Sequence, residues 1–312
     1  MRAVFLGTDA WSVPSLEALA NSGHEVVLVA TRVPRPAGRG GRLRPTPVAE
    51  AAWGRGLPLT EVETVKRGVG LEQIRTAAPD VLVVVAYGEI LPKEILEIPR
   101  MAPVNVHFSL LPALRGADPV RRAILDGVEV TGVTTIRMDE GMDTGPILLH
   151  QEEPILPSDD SGSLGARLAK VGGELLVATL DGLADGDIEE RSQDETAATL
   201  APKLRPEEEW IDWSEEADRI SRMVRALAPD PGARTRFRDR ILKVLRVRVG
   251  EGDGEPGTVA AVSKDSVAVA CGSGVVLLDS VLPEGRKRIS EGEFVRGYRP
   301  EVGERLSPEL GT

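Results

Sequence analysis

The sequence predicts an α/β domain built on a doubly wound sheet, followed by a smaller β-barrel domain. Three observations predict it. The chain has 312 residues, more than one typical core holds. Up to about residue 195, short aliphatic runs alternate with helical patterns, the signature of βαβ units. Beyond that point the composition turns polar, and several short strands then follow one another between Gly-, Asp- and Pro-containing turns, as in a small barrel.

The expected strands of the first domain are Ala3–Leu6, Val26–Ala30, Val81–Ala86, Val104–His107, Val133–Met138 and Ile147–His150. The run from Val81 to Ala86 is continuously apolar, which fits strands covered on both faces. Expected helices are Ser15–Asn21, Val48–Gly54, Leu71–Ala77, Lys93–Ile98, Val120–Asp126 and Leu164–Leu180. Gly7 reads as a tight strand-to-helix turn, because G-x-G-x-x-G is absent there and a nicotinamide cofactor is not expected. Residues 194–209 read as a polar linker. A helix with Ile220, Met223, Val224 and Leu227 on one face precedes Pro229 and Pro231. Strands Ile241–Val249, Gly257–Val262, Val267–Cys271 and Val275–Val281 follow, and the last ten residues read as a disordered tail.

Composition narrows the function. Aromatics are 3% of the chain, so the cores must come mainly from Val, Leu, Ile and Ala. One cysteine, Cys271, rules out an internal disulfide framework and fits a reducing compartment. Three histidines and no Cys/His cluster leave no expected metal site. The chain enters a strand at once, so no signal peptide is expected. No apolar run approaches the ~20 residues that span a membrane, and a cytoplasmic location is expected. Net charge is −11, so any contact with nucleic acid must come from local patches. The stretch Thr31–Val48 supplies one, with five arginines, four prolines, three glycines and no acid; it reads as a solvated loop or as an arm for phosphates. Basic residues recur at Arg234–Arg248 and at Arg286-Lys287-Arg288.

The chemistry concentrates in Asn105-Val106-His107 and Gly141-Met142-Asp143-Thr144-Gly145. Side chains two apart on a strand point the same way, so Asn105 and His107 can face one pocket. An amide, an imidazole and a carboxylate together can stabilise an oxyanion, move a proton and orient the ring, a combination suited to acyl transfer. Spacing alone does not bring Asp143 to His107.

These residues, with Arg35-Pro36-Ala37-Gly38-Arg39-Gly40, Val85-Ala86-Tyr87-Gly88-Glu89-Ile90-Leu91-Pro92, Phe108-Ser109-Leu110-Leu111-Pro112, Arg115-Gly116, Ile211-Asp212-Trp213 and Pro256-Gly257-Thr258-Val259, make the chain resemble the methionyl-tRNA formyltransferase family of folate-dependent formyltransferases over nearly its whole length. The resemblance implies a Rossmann-like N-terminal domain, an OB-like C-terminal domain, and formyl transfer from 10-formyltetrahydrofolate to the amino group of initiator Met-tRNA. It implies Asn105, His107 and Asp143 as catalytic residues. The folate would be bordered by Tyr87, Gly88, Glu89, Ile90, Leu91, Ser109, Leu110, Leu111, Pro112, Asp139 and Gly141. Arg35, Arg39, Arg42, Arg44, Arg246, Arg248 and Lys287 would meet the tRNA. The expected division is residues 1–195 catalytic, 196–206 linker and 207–312 tRNA-binding, in a monomer without metal. The chain departs from the family pattern at Asp9-Ala10-Trp11-Ser12, at Ala113-Leu114 and at Ala228-Pro229-Asp230-Pro231-Gly232. Rival readings are a sugar-nucleotide N-formyltransferase, a formyltetrahydrofolate hydrolase and a non-catalytic tRNA-binding protein.

Overall fold

The computed structural model describes residues 1–37 and 42–307. It divides the chain into two compact units. The first comprises Met1–Pro119, Val130–Pro154 and Gly165–Pro202; the second comprises Val120–Glu129, Ile155–Leu164 and the chain from Lys203 onward.

In chain order, the elements up to residue 185 are β1 (Arg2–Gly7), α1 (Val13–Asn21), β2 (Glu25–Arg32), β3 (Arg35–Ala37), β4 (Arg42–Arg44), α2 (Pro47–Gly54), β5 (Leu59–Val62), α3 (Gly68–Ala77), β6 (Val81–Val85), α4 (Lys93–Leu96), β7 (Ala102–His107), α5 (Pro119–Leu125), β8 (Val130–Arg137), β9 (Ile147–Pro154) and α6 (Ser161–Asp185). The main sheet has the order β5-β2-β1-β6-β7-β8-β9. Its first five strands are parallel, and β8 and β9 continue it antiparallel. From β1 the chain moves outward to β2 and β5 on one side, then crosses back to β6 on the other side of β1, so the order reverses between β1 and β6. Ligand crevices of doubly wound sheets open at such points, beyond the carboxyl ends of the strands.

Aliphatic runs produce this sheet because both of its faces are covered. Val4, Leu6, Leu82 and Val84 pack with Ile74, Leu91 and Ile95 on one side. Ala3, Phe5, Val81 and Val83 alternate to the other side and are equally buried. Each large side chain so buried contributes roughly 1.5–3 kcal/mol. The β5 strand is not legible in the sequence because Leu59-Thr60-Glu61-Val62 is short and half polar. The basic stretch contains a small hairpin, β3 against β4. Its base is pinned by the buried Thr31–Thr46 hydroxyl pair at 2.8 Å, and Thr46 also caps α2 by accepting from the Ala49 N–H.

The second unit contains α7 (Ala217–Leu227), β10 (Ala233–Phe237), β11 (Arg240–Gly250), β12 (Val259–Val262), β13 (Val267–Ala270), β14 (Val275–Pro283), β15 (Ile289–Ser290), α8 (Glu291–Tyr298) and β16 (Leu306–Ser307). Its antiparallel sheet runs β12-β13-β14-β11-β10-β16, with β15 on β14. The sheet curls around Trp213, Ile220, Val224, Phe237, Val244, Leu278 and Phe294. Strand β10 reads in the sequence only as part of a basic run, since Arg234 and Arg236 alternate with inward Ala233, Thr235 and Phe237.

The segment expected to be a disordered tail is ordered as far as Ser307. Leu306 and Ser307 pair with Phe237 and Arg236 of β10. On its other side the same segment bonds the start of β12, through Gly303 N–H to Val259 O, Val259 N–H to Glu304 O and Leu306 N–H to Gly257 O. It therefore joins the two ends of the curled sheet. Residues 308–312 lie outside the described residues.

Candidate active site

Strand β7 ends in the two side chains that the sequence singles out. Asn105 lies beside Val84 of β6 and Ile136 of β8, and His107 beside Thr134. The Asn105 Oδ1 is buried and has no hydrogen-bond partner among the described residues. His107 is 6% exposed. Its Nε2 lies 2.9 Å from the carbonyl oxygen of Leu114. A carbonyl only accepts, so this nitrogen carries the proton and donates it. The other ring nitrogen, Nδ1, faces Asp143 Oδ2 at 3.6 Å, a charge-contact distance beyond hydrogen-bond range. The structure thus brings His107 and Asp143 together, which the sequence could not do. The Leu114 carbonyl, which the sequence did not single out, orients the ring.

Asp143 sits in a turn that its neighbours build. Asp139 Oδ1 accepts from the Gly141 N–H at 3.0 Å and the Thr144 hydroxyl at 2.7 Å. A Cβ on Gly145 would collide with the Arg137 carbonyl, so the turn closes only with glycine there. Asp143 itself has φ +58°, a region that a short polar side chain tolerates. Its Oδ2 accepts the Gly116 N–H at 2.8 Å.

The Ser109–Pro112 loop is folded by two hydroxyls. Ser109 Oγ donates to Ala113 O at 2.6 Å, and Thr134 Oγ1 donates to Ser109 O at 2.7 Å while accepting from Leu111 N–H. The Leu111–Pro112 peptide is cis. Leu111 is buried, and Leu110 packs against Gly132.

The loop after β6 divides its side chains between core and surface. Tyr87 and Leu91 are core residues. Burial, followed by the nearby Glu89 carboxylate, pushes the Tyr87 phenol up to about 12. Glu89 pairs with Arg32 at 2.9 Å. Gly88, with φ +81°, turns the chain, and Ile90 is 71% exposed. Because Gly7 pairs with Val85 and Val84 with Asn105, the carboxyl ends of β1, β6 and β7 lie side by side. Asp139 and Gly141 lie on the exposed side of the Asp143 turn.

Sequence reasoning gave no role to Arg115, quoted only as part of a motif, and passed over the residues that hold it. Arg115, 5% exposed, donates to Gln193 Oε1 at 3.0 and 2.8 Å and to both Glu195 oxygens at 2.9 and 2.8 Å. The Glu195 bonds raise the guanidinium above its ordinary range, and Arg115 in turn lowers Glu195. Thr199 accepts the N–H groups of Leu114 and Arg115 at 2.8 Å each. The signal is hidden in the sequence because Asp194-Glu195-Thr196 has linker composition.

The basic residues fall in two places. Arg35 and Arg44 are exposed and face each other across the β3–β4 pair. No carboxylate among the described residues pairs with either. Arg39 lies outside the described residues, and Arg42 is described only by its place on β4. In the second unit Arg246, Arg248 and Arg288 line a recess of about 610 Å³ with Asp279 and Glu291. Arg248 pairs with Asp279 at 2.7 Å and Glu291 at 3.4 Å, whereas Arg246 lies 4.0 Å from Asp279. Lys287 is exposed. Among the described residues no group of His, Cys, Asp or Glu could hold a metal ion, and no helix is long and apolar enough to cross a membrane.

Comparison with known proteins places this arrangement. Residues 1–180 match the formyl transferase family and residues 203–299 match the formyl transferase C-terminal domain. A methionyl-tRNA formyltransferase from Citrifermentans bemidjiense is 42% identical over 97% of this chain and 95% of its own. Among solved structures, HypX from Aquifex aeolicus in complex with tetrahydrofolic acid has a TM-score of 0.64 at 18% identity, over 95% of this chain. This chain spans about half of HypX, 48% of its length. An N-formyltransferase from Helicobacter canadensis in complex with folinic acid and dTDP-3-aminofucose has a TM-score of 0.66 at 15% identity, over 92% of this chain and 99% of that one. These two structures share the fold; the family follows from the sequence matches. The chain belongs to the formyl transferase family.

Proposed function

We propose that this protein transfers the formyl group of 10-formyltetrahydrofolate to the amino group of initiator methionyl-tRNA, in the cytoplasm and as a monomer. The observation that carries the reading is the convergence of His107 and Asp143 at 3.6 Å, beside Asn105 on the same strand, in a chain with a full-length methionyl-tRNA formyltransferase relative. Residues 1–195 form the catalytic part, 196–206 the linker and 207–312 the tRNA-binding part.

Asn105, His107 and Asp143 are the catalytic residues. The neutral amine adds to the formyl carbon, forming the new C–N bond and a tetrahedral oxyanion. Asn105 donates an amide hydrogen to that oxygen. His107, once its ring carries a proton on each nitrogen, donates to the same oxygen through Nδ1, the nitrogen not engaged by Leu114. One such donor typically lowers the barrier by roughly 3–4 kcal/mol. Asp143 accepts the proton released by the amine; collapse of the adduct breaks the bond from carbon to the folate nitrogen, which takes up that proton from Asp143. The folate lies along Tyr87–Leu91, Ser109–Pro112 and the turn at Asp139 and Gly141. No metal takes part.

The tRNA reading draws support from the β3–β4 hairpin. Like charges directly opposite on paired strands destabilise a sheet, and Arg35 opposite Arg44 fits a surface completed by phosphates. Arg39, Arg42, Arg246, Arg248 and Lys287 are the other residues that we assign to tRNA contact, as the resemblance to the family implies. The test is formyl transfer from 10-formyltetrahydrofolate to charged initiator tRNA, beside a control without tRNA and one with an amino-sugar nucleotide. Formylated tRNA supports the reading. Formate release alone, or formylated sugar, overturns it.

A further inference from the structure

Gln193 bridges the backbone of the Asp143 turn to Arg115 of the Leu114–Gly116 loop. Its Nε2 donates to the carbonyls of Asp143 and Gly145, both at 2.7 Å. A carboxamide nitrogen has two hydrogens, and both are spent on this turn. The amide oxygen accepts from Arg115 Nε and Nη2 at 3.0 and 2.8 Å. The amide therefore has one workable orientation, because a flip would set its NH2 against the guanidinium and its oxygen against two carbonyls. Arg115 is held in turn by both oxygens of Glu195.

The three residues around that guanidinium carry the site. Leu114 supplies the carbonyl that orients His107. Arg115 grips Gln193. Gly116 supplies the N–H that holds the Asp143 carboxylate. Asp143 is thus fixed twice, at its carboxylate by Gly116 and at its carbonyl by Gln193, and both holds lead back to the loop that fixes the imidazole.

We propose that Gln193 is a positioning residue, whose carboxamide sets the Asp143 turn against His107 and whose own orientation is set by Arg115 and Glu195. The inference rests on the reading that Asp143 and His107 act together in formyl transfer. Gln193 touches no reacting atom. Its contribution is geometry, and a displacement of about 1 Å in such a site costs on the order of 100-fold in rate.

The test uses the full chain carrying Gln193→Leu, with the near-isosteric Gln193→Glu as second variant. Both remove the two donors, and the second keeps an acceptor for Arg115. Three quantities are measured: hydrogen–deuterium exchange of the peptide covering residues 139–145, the melting temperature, and kcat and KM for formyl transfer. Faster exchange confined to the turn, an unchanged melting temperature, a kcat lowered on the order of 10- to 100-fold and an unchanged KM for charged initiator tRNA support the proposal. Unchanged exchange in the turn, or wild-type kcat in either folded variant, overturns it. If the wild-type chain forms no formylated tRNA, the functional reading fails, and the exchange measurement still decides whether Gln193 holds the turn.

Discussion

The carbonyl oxygen of Leu114 accepts the Nε2 hydrogen of His107 at 2.9 Å, and this bond decides which ring nitrogen is available for chemistry. With Nε2 committed to the backbone, only Nδ1 faces the carboxylate of Asp143. Leu114 has φ +60°, an unusual conformation for a bulky side chain and one that costs about 1–3 kcal/mol.

Replacing His107 with Asn removes the imidazole that faces Asp143. Turnover is expected to fall on the order of 10²- to 10⁴-fold, with tRNA binding retained. Asn105→Ala removes an oxyanion donor and is expected to lower turnover roughly 10²- to 10³-fold. Steady-state formyl transfer with a parallel binding assay checks both.

Gly116→Ala strikes the same site through the backbone. Gly116 has φ +123°, and an added Cβ would lie 2.8 Å from the Ala201 carbonyl oxygen. The strain is expected to lower stability by about 1–3 kcal/mol. It should also shift the N–H that holds Asp143, so kcat falls more than the stability loss explains. Urea unfolding and kinetics on the folded fraction separate the two effects.

The hairpin arginines are expected to act on tRNA alone. Arg35→Ala with Arg44→Ala should flatten the dependence of log affinity on log salt by about 1–2 units, one for each phosphate that the double variant leaves unneutralised. Stability of the free protein should stay the same or rise slightly, since a like-charge pair is removed. A tRNA-binding titration at several salt concentrations reads the slope.

The second unit should lose stability in acid through Glu208. Its carboxyl is held down at about 2, chiefly by its hydrogen bonds to Arg122. In the unfolded chain the same carboxyl takes a proton near its ordinary 4.5. Its stabilisation is therefore complete above that pH and disappears as pH falls from about 4.5 toward about 2. Urea midpoints across this window should drop for the wild type and drop less for Glu208→Gln.

Much of this molecule could be read from residue patterns, because patterns report burial. Val81–Val85 is a strand in the sequence and in the structure, since a sheet covered on both faces demands uninterrupted aliphatics. Asn105 and His107 were legible for the same reason: alternation along β7 fixes their common side. Asp143 was legible as a residue but not as a neighbour of His107, because a contact between residues so far apart in sequence depends on the whole sheet. Gln193 and Glu195 were illegible, because polar residues that grip a buried arginine have the same composition as a solvated linker. Strand β5 and the segment before Ser307 were missed because their order comes from hydrogen bonds to neighbours rather than from their own apolar content.

The segment Gly303–Ser307 carries a consequence for how the second unit behaves among other proteins. An open strand edge is a row of unpaired N–H and C=O groups, able to add a strand from another molecule. Here one short stretch of chain caps β10 on one side and the start of β12 on the other. Loosening it, by proteolysis or by a poorly placed fusion, would uncover two templates for intermolecular pairing at once. The first symptom would be association and precipitation, with Asn105, His107 and Asp143 still in place.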